Sequence, residues 1–507
     1  MNNDLDISQS LAQKTGWSAG ASLCSLVGRL AVQIIIARML GPNGVGRIAY
    51  IVWLIEIAYL LTNLGMPGSL TRYLAELYGQ NKPEQAAFFA RWVFFRYLML
   101  SLAGSTAVGL FYFFSSQYKG TGAILPVLAI LFVARGLENI NRAGLAGRQR
   151  FDILARINVL ATVVLIGSVF IGGYFYGVTG VLFGYLAGAF FPAAYSFTML
   201  GGHKPSQKID PDLRHRLWKF TFYTWFAMLI SAFVWSRMEI YFLERYWDVN
   251  EVAMFTVALT FALLVRQVAT MFSGSFMAHF SHLLSDGNHD LVQRQYITAT
   301  KLMAFVVVPM AFGGAAIMPV LLPMVFGAKF LPAVPNAMVL TVSSALAFSG
   351  IGSALVYAKE RPSFIAFGGI AGAVMSVTSG FLIISRYGAW GAVWSRLFVQ
   401  ISMIALGTWY IVTRLNFAFP FCALAKTTFA GVFSGLFAWS IIYFMPHSII
   451  TLTIAVPVGV IIYFLGVRLF GVLGMEEIRQ LKRVINRLPC KIHRFFALIL
   501  DAMVTDK

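Results

Sequence analysis

Apolar residues run along this chain in long stretches that are hydrophobic on every side, broken by short segments carrying Gly, Pro and charge. A helix crossing a hydrocarbon core roughly 30 Å thick needs about 20 apolar residues, and these stretches match that length. Reading each run between its breaks predicts helices over 17–37, 47–68, 88–114, 122–142, 153–175, 178–200, 219–243, 253–277, 301–325, 333–357, 363–384, 389–412, 427–445 and 450–470. A barrel is excluded, because its strands would be about 10 residues long with polar alternate positions. The expected fold class is therefore an all-α polytopic membrane protein with about fourteen transmembrane helices.

Composition agrees and adds one exclusion. Of 507 residues, 59% are hydrophobic and 12% charged, so no polar segment is long enough for a soluble catalytic domain. The 39 Lys and Arg against 20 Asp and Glu give a net charge of +19, which nucleic acid, anionic lipid or topology would each explain. Placement decides among them. With the amino terminus cytoplasmic, twenty-five of these cations fall on the cytoplasmic side and six, Arg38, Arg47, Lys119, Arg245, Lys329 and Arg386, on the other. That asymmetry predicts a multi-pass membrane protein with both termini cytoplasmic, and it makes a nucleic-acid partner unnecessary. The polar start MNNDLDISQS lacks a cationic n-region and a cleavage site, so no signal peptide is expected. Cys24, Cys422 and Cys490 are too far apart for a zinc motif or a disulfide framework.

The segment HKPSQKIDPDLRHR (203–216) is the longest polar connection before the tail and divides the first twelve helices six and six. Laying the segment from Arg38 on that from Arg245 without gaps aligns Arg38 with Arg245, Asn43 with Asn250 and Val45 with Val252. Six helices per repeat is an even number, so the halves would enter the membrane the same way up, related by a parallel pseudo-twofold repeat. The expected organisation is an N-terminal six-helix lobe (1–200), a cytoplasmic basic linker (201–218), a C-terminal six-helix lobe (219–413), two additional helices (414–472) and a basic amphipathic tail (473–507). In the tail, Ile478, Leu481, Val484, Ile485 and Leu488 recur at helical spacing among basic residues. Such a segment lies on the inner leaflet or serves as a solvated topological anchor.

Eight cations fall inside predicted spans, and all are arginines: Arg29, Arg91, Arg96, Arg135, Arg156, Arg237, Arg266 and Arg396. Only Glu56, Glu138 and Glu239 oppose them there. An ionised side chain at bilayer centre costs about 2.5–3.5 kcal/mol on insertion scales, so each should face a partner or a wet cavity. Arg91 and Arg156 sit near helix ends and can snorkel. Arg135 and Glu138, three apart, read as a structural ion pair. Arg237 and Glu239, two apart, point to different faces of a continuous helix, and each needs another partner. Arg29 among small residues and Arg266 beside Gln267 are mid-span and are the leading pore candidates, against the alternative of interhelical pairs. Glu56 has two open roles, as a neutralising partner of Arg29 or as the uptake site for a coupling proton or sodium ion. The excess of guanidinium suits an anionic passenger, because its planar fork matches phosphate bidentately.

Searches for catalysis return little. His279 and His282 with Asp286 and His289 have superficial metal spacing, but a cytoplasmic loop with an amphipathic edge accounts for them. No GxxxxGK[ST] occurs, so ATP is not the expected direct energy source, and no cofactor is expected.

The stretch ARMLGPNGVGRIAYIVWLIEIAYLLTNLGMPGSLTRYLAEL (37–77) resembles the amino-terminal signature of the polysaccharide-synthesis branch of the multidrug/oligosaccharidyl-lipid/polysaccharide exporter superfamily. The shared features are R-x-L-G-P, a nearby Gly, an apolar helix, then N-L-G and T-R-Y. The resemblance recurs at 236–258, 323–340 and 386–397. It implies a flippase for undecaprenyl-pyrophosphate-linked repeat units of O-antigen, capsule or exopolysaccharide, with two six-helix lobes around a central cationic cavity and alternating access. It also implies cavity charges on the first, second, seventh and eighth helices, which here are Arg29, Glu56, Arg237, Glu239 and Arg266. Where relatives carry Asp after the Arg of the seventh helix, this chain has Met238 and then Glu239.

These readings converge on a non-enzymatic flippase. Arg29, Arg237, Arg266, Arg396 and Arg96 are the candidate substrate-binding residues, and Glu56 and Glu239 the candidates for coupling or charge balance. Partners would be a lipid-linked oligosaccharide, membrane lipids and polysaccharide polymerase or co-polymerase proteins. A cation-coupled multidrug exporter shares the architecture but would want acids dominating its cavity. A membrane glycosyltransferase or polymerase would want a sizeable extramembrane loop bearing acids or His.

Overall fold

The computed structural model describes residues 2–114, 124–200, 211–235, 237–285, 288–359, 361–446, 448–472, 474 and 477. All regular structure among them is helical, in fifteen α-helices with short 3-10 and π segments. Ten helical stretches of the described residues are long and apolar enough to cross a membrane, and the protein is a multi-pass membrane protein. The chain forms two compact units, Met1–Glu244 and Arg245–Lys507.

In unit 1, α1 (Asn2–Thr62) and α5 (Phe151–Ser196) each contain two predicted helices joined at one non-helical glycine, Gly41 in α1 and Gly177 in α5. In unit 2 the same device appears within α13 (Ser385–Thr413), at Gly388. Gly177 (φ 58°, ψ −133°) and Gly388 (φ 58°, ψ −138°) share one conformation, in a region that a Cβ essentially forbids. Both stand in a Tyr-Gly-x-x-Gly segment, Tyr176 to Gly180 and Tyr387 to Gly391. The second glycine lets the arms close. A Cβ on Gly180 would lie 1.8 Å from the Gly172 carbonyl oxygen, and one on Gly391 would lie 2.6 Å from that of Ile383, at the same chain separation. Each unit thus contains one helical hairpin built on this glycine pair.

The 47–68 prediction spans a break. Asn63 Oδ1 accepts the Gly65 N–H at 2.8 Å in a local turn, Leu64 and Gly65 take left-handed φ of 47° and 74°, and α2 (Met66–Gly79) then starts. Its buried Leu70, Tyr73 and Leu74 pack with Phe89, Phe94 and Tyr97 of α3 (Pro83–Phe114) and Leu137 and Ile140 of α4 (Ile124–Gly147).

Residues 201–210 of the expected basic linker lie outside the described residues; α6 (Pro211–Trp235) follows. It packs into unit 1: Trp225 Nε1 donates to the Leu60 carbonyl at 2.9 Å, and the Thr221 and Ser69 hydroxyls meet at 2.5 Å. The predicted continuous helix 219–243 is interrupted after Trp235, and α7 (Glu239–Tyr246) begins four residues later, with Tyr241 6.0 Å from the Trp53 ring.

Unit 2 contains α8 (Val249–Ser285), α9 (His289–Phe326), α10 (Val334–Ser343), α11 (Gly350–Ala358), α12 (Pro362–Ser379), α13, α14 (Phe421–Phe444) and α15 (Ile449–Leu469). The predicted 333–357 helix is α10 and α11 joined by a 3-10 segment, Ser344–Ser349. The core gathers Val265, Tyr296, Val307, Phe348, Ile351, Leu355 and Ile411. The hairpin at Gly388 carries two further locks. Glu251 Oε2 accepts the Ala389 N–H at 2.6 Å, and Trp247 Nε1 donates to the Ile384 carbonyl at 2.8 Å.

Candidate functional site

Several intramembrane charges of unit 1 gather on α1, α4 and the α6–α7 break. The break at Gly41 folds α1 so that Glu56 comes within electrostatic reach of Arg29, which also feels Arg135 and Arg142. Arg29 and Glu56 are both exposed. Exposure of an arginine to lipid at this depth would cost a few kcal/mol, so its open face is one for water or a polar ligand.

On α4, Glu138 Oε2 accepts from Arg135 Nη1 at 2.9 Å and Oε1 from Arg142 Nη2 at 3.4 Å. The Arg135–Glu138 pair read from the sequence is present, but it is two-thirds of a triad. The Arg135 guanidinium also lies 5.6 Å from the Tyr185 ring centre. Tyr185 in turn is within electrostatic reach of Glu56 and Arg237, which links the α6–α7 break to the cluster.

Arg237 sits in that break with φ 60°, a left-handed conformation costing a residue with a Cβ about 1–2 kcal/mol. Its carbonyl accepts the Ile240 N–H at 3.0 Å and so helps start α7. Glu239 is the first residue of α7 and is buried, where a carboxylate favours the positive end of the helix dipole. The expectation that Arg237 and Glu239 point to different faces of one continuous helix does not apply, because the helix is broken between them and both have interaction partners.

Of the other candidates, Arg96 is in unit 1 and Arg266 and Arg396 are in unit 2. Arg96 is held by aromatic faces, 4.1 Å from the Trp92 ring centre and 5.7 Å from that of Trp218, joining α3 to α6. Arg266 is half-buried on α8 of unit 2. Arg396, on α13, is 8% exposed, in a buried polar stripe where Ser379 and Ser395 hydroxyls meet at 2.7 Å and Gln400 Nε2 donates to the Ser343 carbonyl at 3.2 Å.

Some charges outside the spans form pairs, as Arg150 does with Asp152 and Arg216 with Glu76. Lys359 Nζ lies 3.1 Å from His289 Nδ1 and 5.2 Å from the Phe417 ring centre; burial and the neighbouring Arg361 hold its pKa below the ordinary lysine value. Asp286 lies outside the described residues, and no group of three metal-ligating side chains forms among the described ones. Most of the tail also lies outside them, but Glu477 accepts from Lys301 Nζ at 2.8 Å and from the Gly474 N–H at 2.9 Å. Burial alone would raise the Glu477 carboxyl; the Lys301 ammonium outweighs it and holds the pKa below the usual carboxylate value.

Arg142 and Tyr185 are the residues that sequence reasoning missed. Arg142 was counted with the loop cations that set topology, although its spacing of four from Glu138 was visible. Tyr185 carried no signal in one dimension. The cluster therefore sets four guanidiniums, Arg29, Arg135, Arg142 and Arg237, against the carboxylates Glu56 and Glu138. Such an arrangement can bind an oxyanion, since guanidinium forks match its oxygens.

A family model described as polysaccharide biosynthesis protein matches residues 35–335 of this chain. No curated protein sequence matches it. Among solved structures, the lipid II flippase MurJ in an inward closed conformation superposes with a TM-score of 0.73 at 14% identity, covering 89% of this chain and 98% of that one. An inward-facing multidrug resistance MATE family transporter of the MOP superfamily superposes with a TM-score of 0.61 at 15% identity, covering 80% of this chain and 96% of that one. At these identities the likeness is one of fold, a fold that flippases and transporters share.

Proposed function

Taking as premise that this chain belongs to the family of polysaccharide biosynthesis proteins, we propose that it is a flippase for a lipid-linked anionic oligosaccharide. The passenger is an undecaprenyl-pyrophosphate-linked repeat unit, moved across the inner membrane by alternating access, with both termini cytoplasmic. One observation carries the reading. Arg29 stands exposed at membrane depth with Arg135 and Arg142 in electrostatic reach, and Glu56 offsets them there. Leaving such a set without an anion is costly in low dielectric, and a pyrophosphate offers oxygens to several forks at once. Arg237 extends the same positive region through Tyr185. Glu56 balances charge at the site and is its candidate for proton or sodium coupling. Turnover requires that the headgroup be held differently in the two access states, so these contacts exchange rather than lock.

The test uses purified protein in liposomes holding a fluorescent undecaprenyl-pyrophosphate oligosaccharide, whose exposure to an external quencher is followed with and without a proton or sodium gradient. Wild type is expected to translocate the lipid. Arg29→Ala and Arg237→Ala, folded by thermal melt, are expected to lose at least about tenfold in rate, the order of one charge-assisted contact. Lipid that stays in place while an organic cation moves in exchange for protons would replace this reading with a drug exporter.

A further inference from the structure

Glu138 has an unusual position for a structural acid. It lies three residues after Arg135 and four before Arg142 on one face of α4, and it is closed off by them: its side chain is 14% exposed, against 33% for Arg135 and 52% for Arg142. The two bonds are unequal, 2.9 Å to Arg135 and 3.4 Å to Arg142, so the second guanidinium is loosely held and half open. Both arginines also act on Arg29 across the cluster. A carboxylate with two oxygens is thus sharing itself between guanidiniums that a richer oxyanion would satisfy better.

We propose that Glu138 is a resident counter-anion, occupying Arg135 and Arg142 when the site is empty and giving them up to the phosphate oxygens of a headgroup. The inference rests on the flippase reading above and adds a release mechanism to it. Guanidiniums without Glu138 beside them would hold a pyrophosphate tightly, and a tightly held headgroup is slow to leave. An internal acid that competes for two of the four lowers the affinity and reclaims those arginines as the headgroup leaves. Because Glu138, Arg135 and Arg142 ride on one helix, the exchange needs side-chain rotation rather than movement of α4.

A purely structural Glu138 makes the opposite prediction. Exposed i,i+4 pairs contribute only a few tenths of a kcal/mol to helix stability, and loss of either partner would then weaken the fold and every function slightly. A competing anion gives signs that differ between partners. Binding of inorganic pyrophosphate to full-length protein in detergent, measured calorimetrically, distinguishes the two. Glu138→Gln is expected to bind about tenfold more tightly than wild type, and Arg142→Gln about tenfold more weakly, the scale of close charge pairs. In the liposome assay Glu138→Gln is expected to be slower than wild type at saturating lipid, since release is impeded. Unchanged or weaker pyrophosphate binding by Glu138→Gln overturns the proposal while leaving the flippase reading intact. If the single variant does not fold, the E138Q/R142Q double variant is compared with R142Q, and the double must bind more tightly for the proposal to stand. Wild type that binds no pyrophosphate overturns the headgroup reading and this inference together.

Discussion

Arginine at membrane depth has no single meaning in this protein; its neighbours decide. Arg96 and Arg29 carry the same charge and both fall inside predicted spans, yet Arg96 is flanked by Trp92 and Trp218 while Arg29 faces Glu56 and two more arginines. Quadrupole attraction from two indoles stabilises a cation by about 0.5–2 kcal/mol and needs no anion. Replacing Arg96 with Met is therefore expected to lower the thermal midpoint in detergent and leave pyrophosphate affinity within about twofold of wild type. Arg29→Ala should do the reverse, and thermal melts paired with calorimetry read both. A large loss of affinity in the Arg96 variant would place it in the substrate-binding set.

Among the elements, the helical hairpins carry the clearest division of labour between sequence and geometry. Gly177 and Gly388 supply a conformation, Gly180 and Gly391 supply closeness, and the Tyr-Gly-x-x-Gly string records both needs. Ala at Gly177 or Gly388 is expected to destabilise the protein by about 1–3 kcal/mol, the usual cost of a side chain in a sparsely populated backbone region. At Gly388 the penalty should be the larger, because its Cβ would come 2.7 Å from the Glu251 carboxylate, whereas nothing lies within 4 Å of one at Gly177. Differential scanning fluorimetry of the two variants gives the order, and equal midpoints would refute it. The α6–α7 break shows the converse. No Gly or Pro marks 236–238, so hydropathy alone predicted a continuous span, and the left-handed Arg237 became visible only with coordinates.

At the scale of the whole molecule, an ion pair between distant parts of the chain holds one end of unit 2. Lys301 on α9 ties down Glu477 just past the last helix. A carboxyl whose folded pKa is depressed contributes stability that is fully present above its unfolded value of about 4.3 and disappears as pH falls through the lower folded value. Protection of the Phe470, Gly471, Val472 and Gly474 amides against hydrogen exchange, corrected for the pH dependence of intrinsic exchange, should thus persist at neutral pH and fall below about pH 4. Glu477→Gln should show the reduced protection already at pH 7. A wild-type profile unchanged on acidification would mean that packing, not the ion pair, holds this segment.

The sequence by itself determined that the protein is helical and membrane-spanning, because a bilayer accepts only long apolar helices or closed barrels and the former leave an unmistakable pattern. It also held the family signature, the excess of arginine in apolar runs and the Arg135–Glu138 pair, all of which are local or additive properties of the string. Tertiary structure decided which arginines share a site. Whether Arg29 meets Glu56, whether Arg142 belongs to a loop or to a triad, and whether Arg96 needs an anion depend on turns at Gly41 and on helices brought together from distant parts of the chain. Electrostatic energy falls with distance through space, and distance along the chain does not report it.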